Sequence, residues 1–404
     1  MSADSPTFHA PGRIAAMKTD ALRQLAFFGA SLRPGGRLAT LDHEGRPLEG
    51  PQELITTTRL VHSYALGMIA GAPGCADIVD AGMQALLTRH LDPEHGGFLW
   101  SFDDGGPVQT DKLAYGHMFV LLAAATAKAA GHADADRLMS LADAVIAERF
   151  WDAEAGLMVD EYRRDWTPFS EYRGMNANMH GVEAHLSAYE ATGETRYLDR
   201  AMSILDFFVG KMGAGNDWRL PEHYHQDWSV DADYEGNPMF RPRGTTPGHS
   251  FELGRLLLQA WDLQGRPEGQ APARARALIE TALSDAAMPE GGFCYTLNFD
   301  GSQRVTDRYW WPQSEAIGAL ATLLKLQPDP EEAARYEALW QDAERLFIDE
   351  DRGGWNPEID DAGRPVEKQF TGKPDIYHAL QADLYPLHGG LSRHYDGIAG
   401  ILAK

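Results

Sequence analysis

Two kinds of helical pattern alternate along the chain. One kind is apolar nearly all round, as in HMFVLLAAATAKAAG from His117, VEAHLSAYEATG from Val182 and SEAIGALATLLKL from Ser314. Each is followed by an amphipathic partner with a charged stripe: RLMSLADAVIAERFWD from Arg137, TRYLDRAMSILDFFVGKM from Thr195 and EEAARYEALWQDAERLF from Glu331. A helix apolar on all sides belongs in an interior, and one with a charged face belongs outside. Each pair therefore predicts an inner and an outer helix. Between the pairs a glycine–aromatic segment recurs: GGRLATLDHEGRP from Gly35, GGFLWSFDDGGP from Gly96, AGLMVDEYRRDW from Ala155, GAGNDWRLPEHY from Gly213, GGFCYTLNFDGS from Gly291 and GGWNPEIDDAGRP from Gly353. The spacing is roughly 60 residues, stretched once to nearly 80, the kind of period that marks a repeat architecture. Each segment reads as a short strand pair or extended loop. About six such units predict an all-α fold, an (α/α)6 toroid or barrel with short β-hairpins and loops over one mouth. An open helical solenoid is the alternative; the repeat number and the large loop insertions favour closure. No linker rich in Pro, Gly or Ser interrupts the series, so residues 1–404 read as a single domain.

If the first helix of each pair lines the ring, polar groups at its start converge at one mouth. Six segments supply them: Arg59 and His62 in TTTRLVHSYALG, Tyr115 and His117 in KLAYGHMFVLLAA, and Asn176, His180 and Glu183 in GMNANMHGVEAHL. FRPRGTTPGHSFEL adds Arg243, His249 and Glu252; RYWWPQSEAIGAL adds Trp311, Gln313 and Glu315; GKPDIYHALQADL adds Lys373, His378 and Gln381. Any one of these alone is better read as a helix cap or a satisfied buried group. Caps prefer Ser, Thr, Asp and Asn, however, and burying His and Arg is costly without a purpose. Six together point to a shared polar cavity.

Composition narrows what that cavity serves. The 404 residues are 44% hydrophobic and 24% charged, with a formal net charge of -23. So acidic a chain is not expected to bind nucleic acid or an anionic membrane through bulk charge. Two distant cysteines imply neither a disulfide framework nor a Cys-based zinc site. No signal-peptide core and no run long enough to span a membrane is visible, so a cytoplasmic enzyme is the default expectation.

The motifs of nucleophilic and nucleotide chemistry are missing: there is no Ser nucleophile elbow, P-loop or GxGxxG. PEHYHQDW places His223 and His225 two apart, with Glu222 and Asp227 nearby. An HxH pair on a strand can bind metal, but no third ligand stands at a recognised spacing, and an exposed loop is the simpler reading. What remains is histidines, arginines, carboxylates and tryptophans. Trp310, Trp311 and Trp355 could offer flat apolar faces to a sugar. Such a set suits proton transfer on a carbohydrate, His acting near neutral pH and Arg stabilising a developing oxyanion.

NANMHGVEAHLSAYEATG, FRPRGTTPGHSFELGRLLL, YWWPQSEAIGAL and GKPDIYHALQADL resemble the N-acylglucosamine 2-epimerase superfamily over nearly the whole chain. WRLPEHYHQDW followed by NPMFRPRGTTPGH is most similar to its branch of bacterial aldose–ketose isomerases. The resemblance implies an (α/α)6 barrel that works with no metal and no cofactor. It implies an interconversion of an aldose and its ketose, D-mannose and D-fructose foremost, through a cis-enediol. A 2-epimerase or an isomerase of a sulfonated sugar is the alternative; Arg173, Arg241 or Lys373 could serve a sulfonate. A neutral monosaccharide is preferred, because the acidic chain gives no steering toward an anion. By motif, His249 and His378 would be the acid–base pair, and His180 would assist at the ring oxygen or hydroxyls. Arg59, Tyr115, Asn176 and Arg243 would bind the sugar, with Trp311 and Gln381 beside them. Glu252 would orient His249, and Glu315 its own neighbours. A monomer or homodimer is expected. On residues alone a glycoside hydrolase using Glu252 and Glu315, or a non-catalytic sugar-binding protein, stays open.

Overall fold

The computed structural model describes residues 6–237 and 241–403. Pro238, Met239 and Phe240, which fall inside the quoted NPMFRPRG stretch, lie outside the described residues. Twelve α-helices of eight residues or more lie among the described residues: α1 (Arg13–Phe28), α2 (Leu54–Ala70), α3 (Ala76–Ala85), α4 (Ala114–Ala129), α5 (Ala135–Val145), α6 (Met175–Thr192), α7 (Thr195–Leu205), α8 (Pro247–Leu263), α9 (Ala271–Ala286), α10 (Trp310–Leu326), α11 (Pro330–Leu346) and α12 (Tyr377–Leu384). The even-numbered helices pack in a cycle, α2 on α4, α4 on α6, and onward through α8, α10 and α12 back to α2. That cycle is the inner ring. Each inner helix is backed by an outer one: α3, α5, α7, α9 and α11 follow their partners in sequence, and α1 backs α12. The fold is therefore the closed (α/α)6 toroid and not an open solenoid.

Burial follows the sequence pattern. In α4 every residue from Gly116 to Ala127 is buried. In α7 the buried set is Tyr197, Leu198, Ala201, Ile204 and Leu205, one stripe at helical spacing.

The glycine–aromatic segments do more than connect. The residues just before each inner helix pair, antiparallel, with the segment of the following repeat: Gln52–Glu53 with Ser101–Phe102, Lys112–Leu113 with Glu161–Tyr162, Arg173–Gly174 with His223–Tyr224, and Arg308–Tyr309 with Glu358–Ile359. Single bridges join Thr245 to Leu297 and Lys373 to Leu41. The last of these links the final repeat to the first. Two glycines make such links fit. Gly244 (φ +102°) and Gly372 (φ +65°) occupy left-handed backbone, and a Cβ on either would collide with the carbonyl oxygen of Leu297 or Leu41. This belt of links gathers the N-terminal ends of the inner helices at one mouth.

The seam between α1 and α12 is closed by polar groups. Gln24 donates to Asp20 Oδ2 (3.0 Å) and Asp383 Oδ2 (2.7 Å), and Trp355 Nε1 donates to Asp20 Oδ2 at 2.9 Å. Burial, and then the neighbouring Asp20 carboxylate, push Asp383 well above the usual carboxylate range. The folded state thus holds a proton that the unfolded chain releases, so this group removes stability as pH rises above its unfolded value. Asp383→Asn is expected to raise Tm, and by more at pH 8 than at pH 4.5. Thermal melts at the two pH values check this; an equal shift at both would show that Asp383 carries no such proton.

Candidate active site

At the mouth a cavity of about 460 Å³ opens, lined by the starts of the inner helices and the loops before them. His249 and His378 share it with Trp311, whose indole lies against both imidazoles, with ring centroids 5.2 Å and 5.8 Å apart respectively. His249 Nδ1 donates to Glu222 Oε1 at 2.9 Å, and His378 Nδ1 donates to Glu315 Oε1 at 2.8 Å. A carboxylate can only accept, so the proton on each ring is fixed at Nδ1. No hydrogen bond within the described residues occupies either Nε2. Each histidine thus offers Nε2 for proton transfer and is oriented by a carboxylate behind it.

The two supporting carboxylates differ. Glu315 is buried and also paired with Arg255, at 3.2 Å. Burial works against its charge, but Arg255 and His378 hold it below its ordinary range. Glu222 lines the cavity and shares no ion pair with Arg or Lys among the described residues.

Glu252 does not orient His249, contrary to expectation. Its carboxyl is fully buried one turn further down α8, 3.6 Å from His180 Nδ1, and neither oxygen has a hydrogen-bond partner. Burial, then Glu315 and Glu183, push Glu252 well above the carboxylate range. The physical reason is position: the i,i+3 spacing places Glu252 deeper in the cavity wall beside His180, whereas His249 at the helix start turns toward the neighbouring loop that carries Glu222. His180 lines the cavity beside it, and burial lowers its pKa to about 4, leaving a neutral imidazole. Below the cavity, Tyr377 and Gln381 donate to Glu183, and Gln381 also meets His62 Nε2 at 3.1 Å. Gln381 and Glu315 are therefore a layer behind the lining.

Arg59 lies at the cavity edge, held by Asp375 (2.5 Å) and donating to Tyr115 Oη at 2.8 Å, which leaves the Tyr115 proton free to donate. Asn176 lines the cavity, and its Oδ1 is buried and unpartnered. Arg243 does not join them. Its guanidinium pairs with Asp233 and Glu235 outside the cavity, and Arg241, two residues earlier, lines the cavity while paired with Glu161 at 2.5 Å. Trp310 lines the cavity with Trp311, but Trp355 is spent on the α1 seam. Lys373 is buried against Asp349. Glu222, Asp375, Tyr172 and Asp160 also line the cavity and were not singled out as site residues. Glu222, Asp375 and Asp160 stand inside quoted segments, although nothing in the repeat copy marks Asp160 as a site residue; Tyr172 stands in none.

Two groups among the described residues bring ligand atoms within 4.8 Å of one another and could hold a cation: His180, Glu183 and Glu252, and Glu252, Glu315 and His378. In each a carboxylate is already engaged, Glu183 by Tyr377 and Gln381 and Glu315 by Arg255 and His378, and burial pushes Glu252 toward its neutral form. His223 is not free for metal: Nε2 donates to Pro242 O (2.6 Å) and Nδ1 accepts from Tyr172 Oη (2.9 Å). No helix among the described residues is long and apolar enough to cross a membrane.

Comparison with known proteins agrees with this geometry. The sequence model of the N-acylglucosamine 2-epimerase (GlcNAc 2-epimerase) family matches residues 36–382. A D-mannose isomerase of Thermobifida fusca is 39% identical over 380 residues, covering 92% of this chain and 93% of that one. A D-mannose isomerase of Pseudomonas cannabina pv. alisalensis is 38% identical over 376 residues, covering 90% of each. The crystal structure of a D-mannose isomerase superposes with a TM-score of 0.86 at 28% identity, over 95% of this chain and 98% of that one.

Proposed function

The chain belongs to the N-acylglucosamine 2-epimerase family, and from that premise we propose that it is an aldose–ketose isomerase interconverting D-mannose and D-fructose. The observation that carries the reading is the pair of histidines, His249 and His378. They face one sugar-sized cavity across Trp311, each backed by a carboxylate at Nδ1 and open at Nε2. Relatives at 38–39% identity favour isomerisation over 2-epimerisation.

In this reaction the pyranose opens first. O1 loses its proton, the bond from C1 to the ring oxygen breaks, and that oxygen gains a proton. Neutral His180, with Glu252 behind it, assists there by hydrogen bonding. One of the paired histidines then takes the C2 proton at Nε2. O1 is protonated, giving a cis-enediol whose oxygens face Arg59, while the Tyr115 hydroxyl holds the rest of the sugar. Loss of the O2 proton and return of a proton to C1 yield the ketose. Asn176 and Trp311 hold the sugar chain, and Glu315, Glu222 and Gln381 position the groups that touch it. In this reading residues 1–404 form one catalytic domain of a cytoplasmic monomer or homodimer that needs no metal. A glycosidase would require Glu252 and Glu315 as its carboxylate pair. Glu315 is already committed to Arg255 and His378, which disfavours that reading.

The test is incubation with D-mannose, followed by NMR, before and after exhaustive EDTA treatment. D-fructose is expected at equal rates in both. D-glucose as the first product would make the protein a 2-epimerase. Loss of activity on chelation, restored by Mn²⁺ or Zn²⁺, would overturn the metal-free mechanism.

A further inference from the structure

Across the inner ring from His378 stands a carboxyl group that the mechanism above does not use. In the inner ring order the α4–α6 edge is diametrically opposite the α10–α12 edge, which carries Trp311 and His378. Asp160 belongs to the α4–α6 edge and is pinned to both helices. Its carbonyl accepts from Ala114 N at the start of α4 (2.8 Å), and its Oδ2 accepts from Gly174 N just before α6 (2.8 Å). The side chain is buried yet lines the cavity, and among the described residues Oδ1 makes no hydrogen bond. Its polar neighbours are already engaged. Tyr172 donates to His223, and Arg241 is paired with Glu161.

Resting on the isomerase reading, we propose that Asp160 is a specificity-determining residue that hydrogen-bonds a sugar hydroxyl remote from the reacting C1 and C2. The reacting carbons must lie at the Nε2 atoms of His249 and His378, so the other end of the same hexose reaches the α4–α6 wall. Burial pushes Asp160 up to about 8, opposed by Arg241, Arg173 and the Gly174 amide and aided by Glu161. The other titratable groups at this wall are Tyr172 and Glu222. At pH 7 the Asp160 carboxyl therefore keeps its proton and donates from Oδ1 while Oδ2 accepts from Gly174. A neutral donor suits the hydroxyls of an uncharged sugar.

Asp160→Asn keeps both features, the acceptor toward Gly174 and a donor toward the cavity. It is expected to fold as wild type and to hold KM for D-mannose within about 3-fold at pH 7, since one neutral hydrogen bond replaces another. Wild-type KM should rise as pH passes through about 8, where the donor ionises, and the rise should be absent in D160N. Asp160→Ala should raise KM by about 5- to 10-fold, the size of one lost neutral hydrogen bond, with kcat within about 3-fold. Against 4-deoxy- and 6-deoxy-D-mannose, D160A should show no further penalty for whichever sugar lacks the partner hydroxyl. An alkaline rise in KM that persists in D160N overturns the proposal, as does an unchanged KM in a folded D160A. If the wild type fails to convert D-mannose at all, the reading of the reaction fails instead. Asp160 is then probed by binding of the neutral sugars alone, where wild-type and D160A affinities that coincide overturn it.

Discussion

His378→Asn and His249→Asn are each expected to lower kcat for D-mannose by at least about 10²-fold, the scale of losing a general acid or base. Asn keeps a donor toward Glu315 or Glu222, so the hydrogen bond at Nδ1 survives in outline and only the Nε2 function is removed. Both side chains line an open cavity instead of filling packed core, so thermal stability should change little. Solvent exchange then tells the two apart. The variant lacking the base for C2 should lose deuterium wash-in at C2 of the aldose in D₂O. The variant lacking only the partner acid should keep slow exchange while ketose formation is lost. A variant that isomerises and exchanges near the wild-type rate would make its histidine structural.

The ring was legible because its inner helices are apolar all round and their partners are not, a contrast that survives any local irregularity. The outer partner of α12 was not legible. It is α1, more than three hundred residues away, and only closure brings Gln24 to Asp383. The site was readable to the extent that its residues stand at inner-helix starts. His180, His249, His378, Arg59, Tyr115, Asn176 and Trp311 all line the cavity because the belt of strand links draws those starts together. Pairings across repeats were hidden. Sequence proximity suggested Glu252 for His249, but the acceptor is Glu222, 27 residues earlier. In FRPRG the choice between two arginines depends on Pro242, whose carbonyl is tied to His223 and fixes the segment to the cavity wall. Arg241 stays at that wall, whereas Arg243 finds Asp233 and Glu235 outside. Asp160 carried no motif signal, since its position depends on two backbone groups that no side-chain pattern records.

Glu222→Gln and Glu315→Gln should separate positioning from stability. Both remove the anion behind a histidine while keeping an acceptor for Nδ1–H. Each should lower kcat by about 10- to 100-fold, the usual result of losing a group that orients and charges a reacting side chain. Their effects on folding should diverge. Glu315 is buried and is the ion-pair partner of Arg255, itself 4% exposed. Neutralising it leaves a guanidinium charge stranded among the inner helices, near a Glu252 whose neutral form burial favours. Breaking such a pair from one side costs about 3 kcal/mol. Glu222 pairs with no Arg or Lys among the described residues, so E222Q should lose no more than about 1 kcal/mol. Denaturant melts of the two variants measure the difference, and kcat on D-mannose measures the shared loss. Equal stabilities would mean that Glu183 and Glu252, which also act on Arg255, suffice to hold its charge. A wild-type kcat in E222Q would show that His249 needs no anion behind it, and the two histidines would then have to work by different means.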